Sequence, residues 1–127
     1  MSCTLGKDEK LKSKKLIEQL FAEGKHVKSF PFRLIYLPIE HHGNLPLKVG
    51  FSVPKRNVKL AVNRNRIKRL MREVYRNNKH LFYEKIETKF VFMFIYMAKE
   101  EIKYTDLELS LKKLSNKLQE KLKDDKI

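Results

Sequence analysis

The sequence predicts an α/β fold, an α+β sandwich, as a single domain over residues 1–127 in the order α-β-β-(β)-α-β-α, the bracketed strand unassigned. Three observations predict it. Ile67, Leu70, Met71 and Val74 recur at i, i+3, i+4 and i+7, the spacing of one helix face. Phe90 to Met97 is an unbroken apolar run rich in aromatics. It falls well short of the roughly 20 residues that span a bilayer and reads as a strand buried on both faces. Leu107, Leu111, Leu114, Leu118 and Leu122 form the stripe of a long final helix.

The elements follow in order. Residues 1–10 are polar, an end expected to be mobile. Ser13 is placed to cap a short helix that runs to Glu23 and stops at Gly24, with Leu16, Ile17, Leu20 and Phe21 as its apolar face. A strand is expected from Phe30 to Leu37, with Pro31 near its start and Pro38 at its end. His41-His42-Gly43-Asn44 reads as a turn. A second strand covers Leu47 to Val53, and Pro54 closes it. The central helix is expected over Lys59 to Asn78, then the apolar strand. Thr105 with Glu108 has the spacing of a capping box for the last helix. Residues 123–127 read as a solvated, mobile tail. No repeat, low-complexity tract or linker divides the chain.

Charge points to a partner. Lys and Arg number 29 against 15 Asp and Glu, a net charge of +14. Residues 55–76 hold nine of those cations and one acid, Glu73. At 100° per residue, Asn65, Lys68, Arg69, Arg72 and Arg76 gather opposite the apolar stripe. One helix thus docks by its apolar side and offers a row of guanidinium and ammonium groups, suited to a nucleic acid. A membrane partner is disfavoured, because no segment is long and apolar enough to span or to form a signal peptide. The single cysteine, Cys3, excludes an internal disulfide and fits a reducing cytoplasm.

Self-contained catalysis finds little support. The four glycines do not cluster into a phosphate loop, and no Cys-x-x-Cys pair offers a zinc site. His41 and His42 are adjacent and point apart. His26 and His80 have no carboxylate companion in sequence. Asp8, Asp106, Asp124 and Asp125 are scattered or terminal, not arranged for two metal ions. No metal site and no small-molecule substrate are expected. Charge and size fit a structural RNA-binding protein of ribosomal type, with no nuclease role. A free-standing nuclease would differ by cutting without an RNA cofactor.

Residue order narrows this further. Arg64-Asn65-Arg66, Ile67-Lys68-Arg69-Leu70 and Arg72-Glu73 resemble the RNR signature of the bacterial ribonuclease P protein family. The approach is similar too: Val49-Gly50-Phe51-Ser52-Val53, Lys55-Arg56-Asn57 and Ala61-Val62. The resemblance extends from about Leu11 to Leu118. It implies a left-handed crossover at the strand, helix, strand unit. It also implies a protein subunit that assists a catalytic RNA, with magnesium in the RNA holoenzyme, in removing the 5′ leader of precursor tRNA. Arg64, Asn65, Arg66, Lys68, Arg69, Arg72 and Arg76, extended by Lys55, Arg56 and Asn57, would then meet RNA. Ile17, Phe21, Ile35 and Tyr36 would line the leader cleft between the first helix and the sheet. Phe21 matches a family aromatic. Ile17 stands where the family commonly has Phe, and Ile35 where an aromatic is often found, with Tyr36 one residue later. Ala98-Lys99 stands where many relatives show a small residue and Arg.

Overall fold

A computed structural model describes residues 10–39 and 47–125. Cys3, the His41–Asn44 turn and the outermost residues of both ends lie outside them. Helix α1 spans Lys14–Glu23, and strands β1, β2 and β3 span Lys25–Ser29, Phe32–Pro38 and Leu47–Ser52. Helices α2 (Ala61–Asn78) and α3 (His80–Tyr83), strand β4 (Phe90–Tyr96) and helix α4 (Tyr104–Asp125) follow. The sheet order is β1-β2-β4-β3. Strands β1, β2 and β4 pair antiparallel in turn, and β3 lies parallel to β4.

Side-chain alternation along β4 creates two cores. Phe90, Phe92, Phe94 and Tyr96 face α2 and α4, meeting Ile67, Met71, Val74 and the α4 leucines. Val91, Met93 and Ile95 face the other way, to Leu11 and Leu20 under α1. All seven strand residues are buried, as the continuous apolar run predicts.

The hand of the β3-α2-β4 crossover follows from hydrogen bonds. View an L-residue with its strand running upward and its side chain toward the eye: its N–H and C=O both point right. Val49 points into the core shared with α2. Its carbonyl accepts from the Leu11 N–H at 3.0 Å, so Leu11 lies right of β3 and β4 lies left. The chain therefore passes in front through α2 and returns leftward. The crossover is left-handed, as the resemblance implies, whereas about 98% of such connections are right-handed.

Several boundaries and two elements, β1 and the short helix α3, differ from the sequence reading. The sequence order brackets a third strand after the two assigned ones, whereas the third strand is β1, which precedes both and pairs with β2 through Val27↔Leu34 and its neighbours. Strand β2 begins at Phe32 rather than Phe30, because residues 30–31 form the hairpin turn. Helix α2 begins at Ala61 rather than Lys59. Ser13 does cap α1, accepting from the Leu16 N–H at 3.3 Å. The capping box at Thr105 is overturned: α4 already begins at Tyr104, so Thr105 lies inside it. Glu108 instead accepts from Asn78 Nδ2 at 2.9 Å, tying α4 to α2. Helix α4 also continues through Lys123 and Asp124, which read as tail in the sequence.

Gly24 ends α1 with extended backbone, so its role is close approach rather than unusual torsion. An added Cβ would stand 2.3 Å from the Leu20 carbonyl oxygen and 2.6 Å from Ile35 Cγ2. Gly24→Ala is expected to destabilise the fold by about 1–3 kcal/mol through overpacking, seen as a lower urea midpoint with an unchanged slope.

Candidate nucleic-acid interface

The approach to α2 is a fixed turn. The Pro54 carbonyl accepts from Asn57 N at 3.0 Å and Val58 N at 3.2 Å. Asn57 Nδ2 donates to the Tyr96 carbonyl at 3.2 Å, pinning the turn to the end of β4. Asn57 is thus turned inward, while Lys55 and Arg56 are exposed. Arg64 Nη1 reaches back to the carbonyls of Val58 at 3.0 Å and Lys59 at 2.7 Å. The first residue of the RNR motif therefore braces the turn. No acid stands in the first turn of α2, and no side chain caps it, so the positive end of the helix dipole adds to the basic field.

Along α2, Ile67, Met71 and Val74 are buried, with Leu70 half-buried, as their spacing predicts. Tyr75 and Asn78 join them. Asn65, Arg66, Arg69 and Arg72 are exposed, and Lys68 and Arg76 are half-buried. Arg76 pairs with Glu73 one turn back. Arg66 Nε lies 3.4 Å from Glu101 Oε1, an exposed pair worth under about 1 kcal/mol. Glu101 is brought there by the segment after β4, where Tyr96 Oη donates to the Glu100 carbonyl. Burial, above all, pushes that phenol up to about 12.

Lys68 and Arg72 lean the other way, over a groove of about 310 Å³ at the β3 edge. Lys10 and Lys12 line its far wall and Gly50 its floor, and no acid lines it. Lys10 and Lys12 were not among the sequence candidates. Their signal was the lysine-rich run from Lys7 to Lys15, but only the pairing of Lys10 with Val49 brings them to α2.

The α1 side of the sheet holds part of the second candidate site. Ile35 and Ile17 share the core under α1, and Phe21 near the end of that helix is 50% exposed. Tyr36 does not belong with them. A strand turns successive residues to opposite faces, so Tyr36 enters the α4 side, buried against Phe90 at 6.4 Å between ring centroids. Of the four candidates, Ile17 and Ile35 thus pack in an aliphatic core under α1, and Phe21 is an exposed ring on that helix.

A family model described as Ribonuclease P matches residues 5–119. The chain belongs to the ribonuclease P family. The ribonuclease P protein component of Porphyromonas gingivalis is 36% identical over 88 residues, 69% of this chain and 64% of that protein. That of Chlorobaculum tepidum is 41% identical over 80 residues, 61% of this chain and 52% of that one. These matches thus span between half and two thirds of the relatives' length. The ribonuclease P protein of Thermotoga maritima shares the fold, with TM-score 0.66 and 24% identity over 85% of this chain and 96% of that one. The Staphylococcus aureus protein aligns with TM-score 0.64 and 22% identity, covering 85% and 93%. Among the described residues, no helix is long and apolar enough to cross a membrane.

Within the motif, Arg64 is turned in to the backbone while Arg72 is exposed. Arg64→Ala removes two hydrogen bonds to backbone carbonyls and is expected to cost about 1–3 kcal/mol. Arg72→Ala is expected to stay within about 0.5 kcal/mol of the parent. Urea denaturation of the two variants side by side checks the distinction.

Proposed function

We propose that this chain is the protein subunit of ribonuclease P, binding the catalytic RNA and the 5′ leader of precursor tRNA to assist endonucleolytic leader removal. The observation that carries it is the cationic face of α2, held rigid by its buried stripe, within a family match that covers most of the chain. Arg66, Arg69 and Arg72 present planar forks suited to bidentate phosphate contact. Lys68, Lys55 and Arg56 add point charges and a further fork. Asn65 is exposed, and its amide oxygen gives an acceptor for a sugar or base edge that a lysine lacks. The +14 charge screens repulsion between the two RNAs. Bond cleavage and magnesium belong to the RNA in this reading. On the α1 side, Phe21 stacks a leader base, worth roughly 1–3 kcal/mol with little sequence preference. Ile17 and Ile35 supply an apolar floor. The site of action is the cytoplasm, where precursor tRNA is made in bacteria.

The direct test is precursor-tRNA cleavage at low magnesium with bacterial ribonuclease P RNA alone, this protein alone, and both. Cleavage at the mature 5′ end only in the mixture is expected. Cleavage by the protein alone would make it a nuclease, and no gain in the mixture would leave an RNA-binding protein of another assembly. Arg69→Ala with Arg72→Ala is expected to flatten the log–log salt dependence of RNA binding, by roughly 0.7–0.9 per lost phosphate contact. An unchanged slope in a salt titration removes this face from the contact. Phe21→Ala is expected to weaken binding of leader-bearing precursor by roughly fivefold or more and to spare mature tRNA. Parallel binding curves for the two RNAs check it.

A further inference from the structure

The sheet face that carries α1 holds a second cationic group, apart from α2. Lys28 on β1 and Arg33 on β2 are direct cross-strand partners. Both side chains leave the sheet on one face with Cβ atoms about 5 Å apart, where like charges repel. The row continues through Ile95 on β4 and Ser52 on β3, so it contains no carboxylate.

Arg33 is held in one direction. Its Nε donates to His26 Nδ1 at 3.0 Å. That bond needs an unprotonated Nδ1. Burial, then the charges of Arg33 and Lys28, hold His26 below its ordinary value. The bond engages Nε alone and leaves the terminal amino groups of the fork directed outward from it. Around the β1 edge, His26 and Lys28 share a groove with Lys117, Glu120, Lys121 and Asp124 of α4, so two carboxylates and two lysines flank Lys28 there, while Arg33 does not line it. Lys117 Nζ is occupied with the Lys28 carbonyl at 2.9 Å.

The position relates this group to the cleft. His26 is the cross-strand partner of Ile35, and Arg33 lies two residues from Ile35 on the same face. That is about 7 Å along the strand.

We propose that Arg33 and Lys28 form a second phosphate-binding site, on the sheet, for leader nucleotides beyond the one held at Phe21. This rests on the reading of the chain as a leader-binding subunit. Arg33 supplies a fork for two phosphate oxygens, Lys28 a point charge, and His26 fixes the fork's direction. A bound phosphate offsets the Lys28–Arg33 repulsion. The site reads charge and not base, so it lengthens the footprint on the leader without adding sequence preference.

The test uses the holoenzyme reconstituted with ribonuclease P RNA and precursor tRNAs with one-nucleotide or long leaders. Arg33→Gln and Lys28→Gln are each expected to weaken binding of the long-leader precursor roughly threefold to tenfold. Binding of the one-nucleotide precursor is expected to stay unchanged. Arg33→Lys keeps the charge and loses the fork, and is expected to recover only part of the loss. Equal losses for both precursors, or none for either, overturn the site. If the parent holoenzyme binds long-leader and one-nucleotide precursors equally, the leader-binding reading itself fails, and this site with it.

Discussion

Strand β4 is buried on both faces, and both candidate surfaces depend on it. Its even-numbered residues support α2 and α4, and its odd-numbered residues support α1. A slip of one residue would exchange those sets and put four aromatic rings under the short α1. The aromatic side fixes the position of α2. The Tyr75 ring lies 5.4 Å from that of Phe94 and 5.8 Å from that of Phe51, and the Phe51 and Phe94 rings stack at 5.6 Å. Tyr75 therefore anchors the helix whose far side carries the arginines. Truncated rings here would loosen a charged surface that they never touch.

The basic face is a costly thing to hold in one place. Cations at i, i+3 and i+4 on a helix repel their neighbours, and the net charge of +14 adds to this. Acids answer it only locally. Glu73 takes Arg76, and Glu101 stands near Arg66. Arg64 is drawn inward to backbone carbonyls. Lys68 and Arg72 face a groove lined by no acid, whereas Arg69 shares its patch with Glu73 and Glu101. The apolar stripe supplies the free energy that keeps them together. A polyanion that binds the row stabilises the folded state over the unfolded one, so binding and stability are coupled here.

Much of this was legible because period and burial agree. Helix α2, strand β4 and helix α4 each carry a long, unambiguous pattern, and Ser13 sits where a cap is needed. Strand β1 was not legible, because Lys25, His26 and Lys28 face outward and only Val27 and Ser29 are buried. Its strand character comes from pairing with β2. Thr105 and Glu108 matched a local rule, yet a tertiary bond to Asn78 engages Glu108. Tyr36 and Ile35 could be separated only by the register of β2 against β4. The RNR arginines read alike in sequence, and only coordinates separate Arg64, bound to backbone carbonyls, from the exposed Arg66.

The two surfaces meet at the β3 edge. Leu11 pairs with β3 through Val49 and packs into the α1-side core, while Lys10 and Lys12 on either side of it face Lys68 and Arg72 across the groove. Gly50 forms the floor between them. A Cβ there would stand 2.8 Å from Met93 Cε, so a larger residue would raise the floor or displace the core beneath it. Ser13, which follows Lys12 directly, caps α1. The chain therefore leads from the cation row of α2 to the helix that carries Ile17 and Phe21, through a groove lined by no acid. Phosphates gripped on α2 and bases laid along α1 are thus compatible with one continuous strand, and the left-handed crossover sets α2 beside that edge.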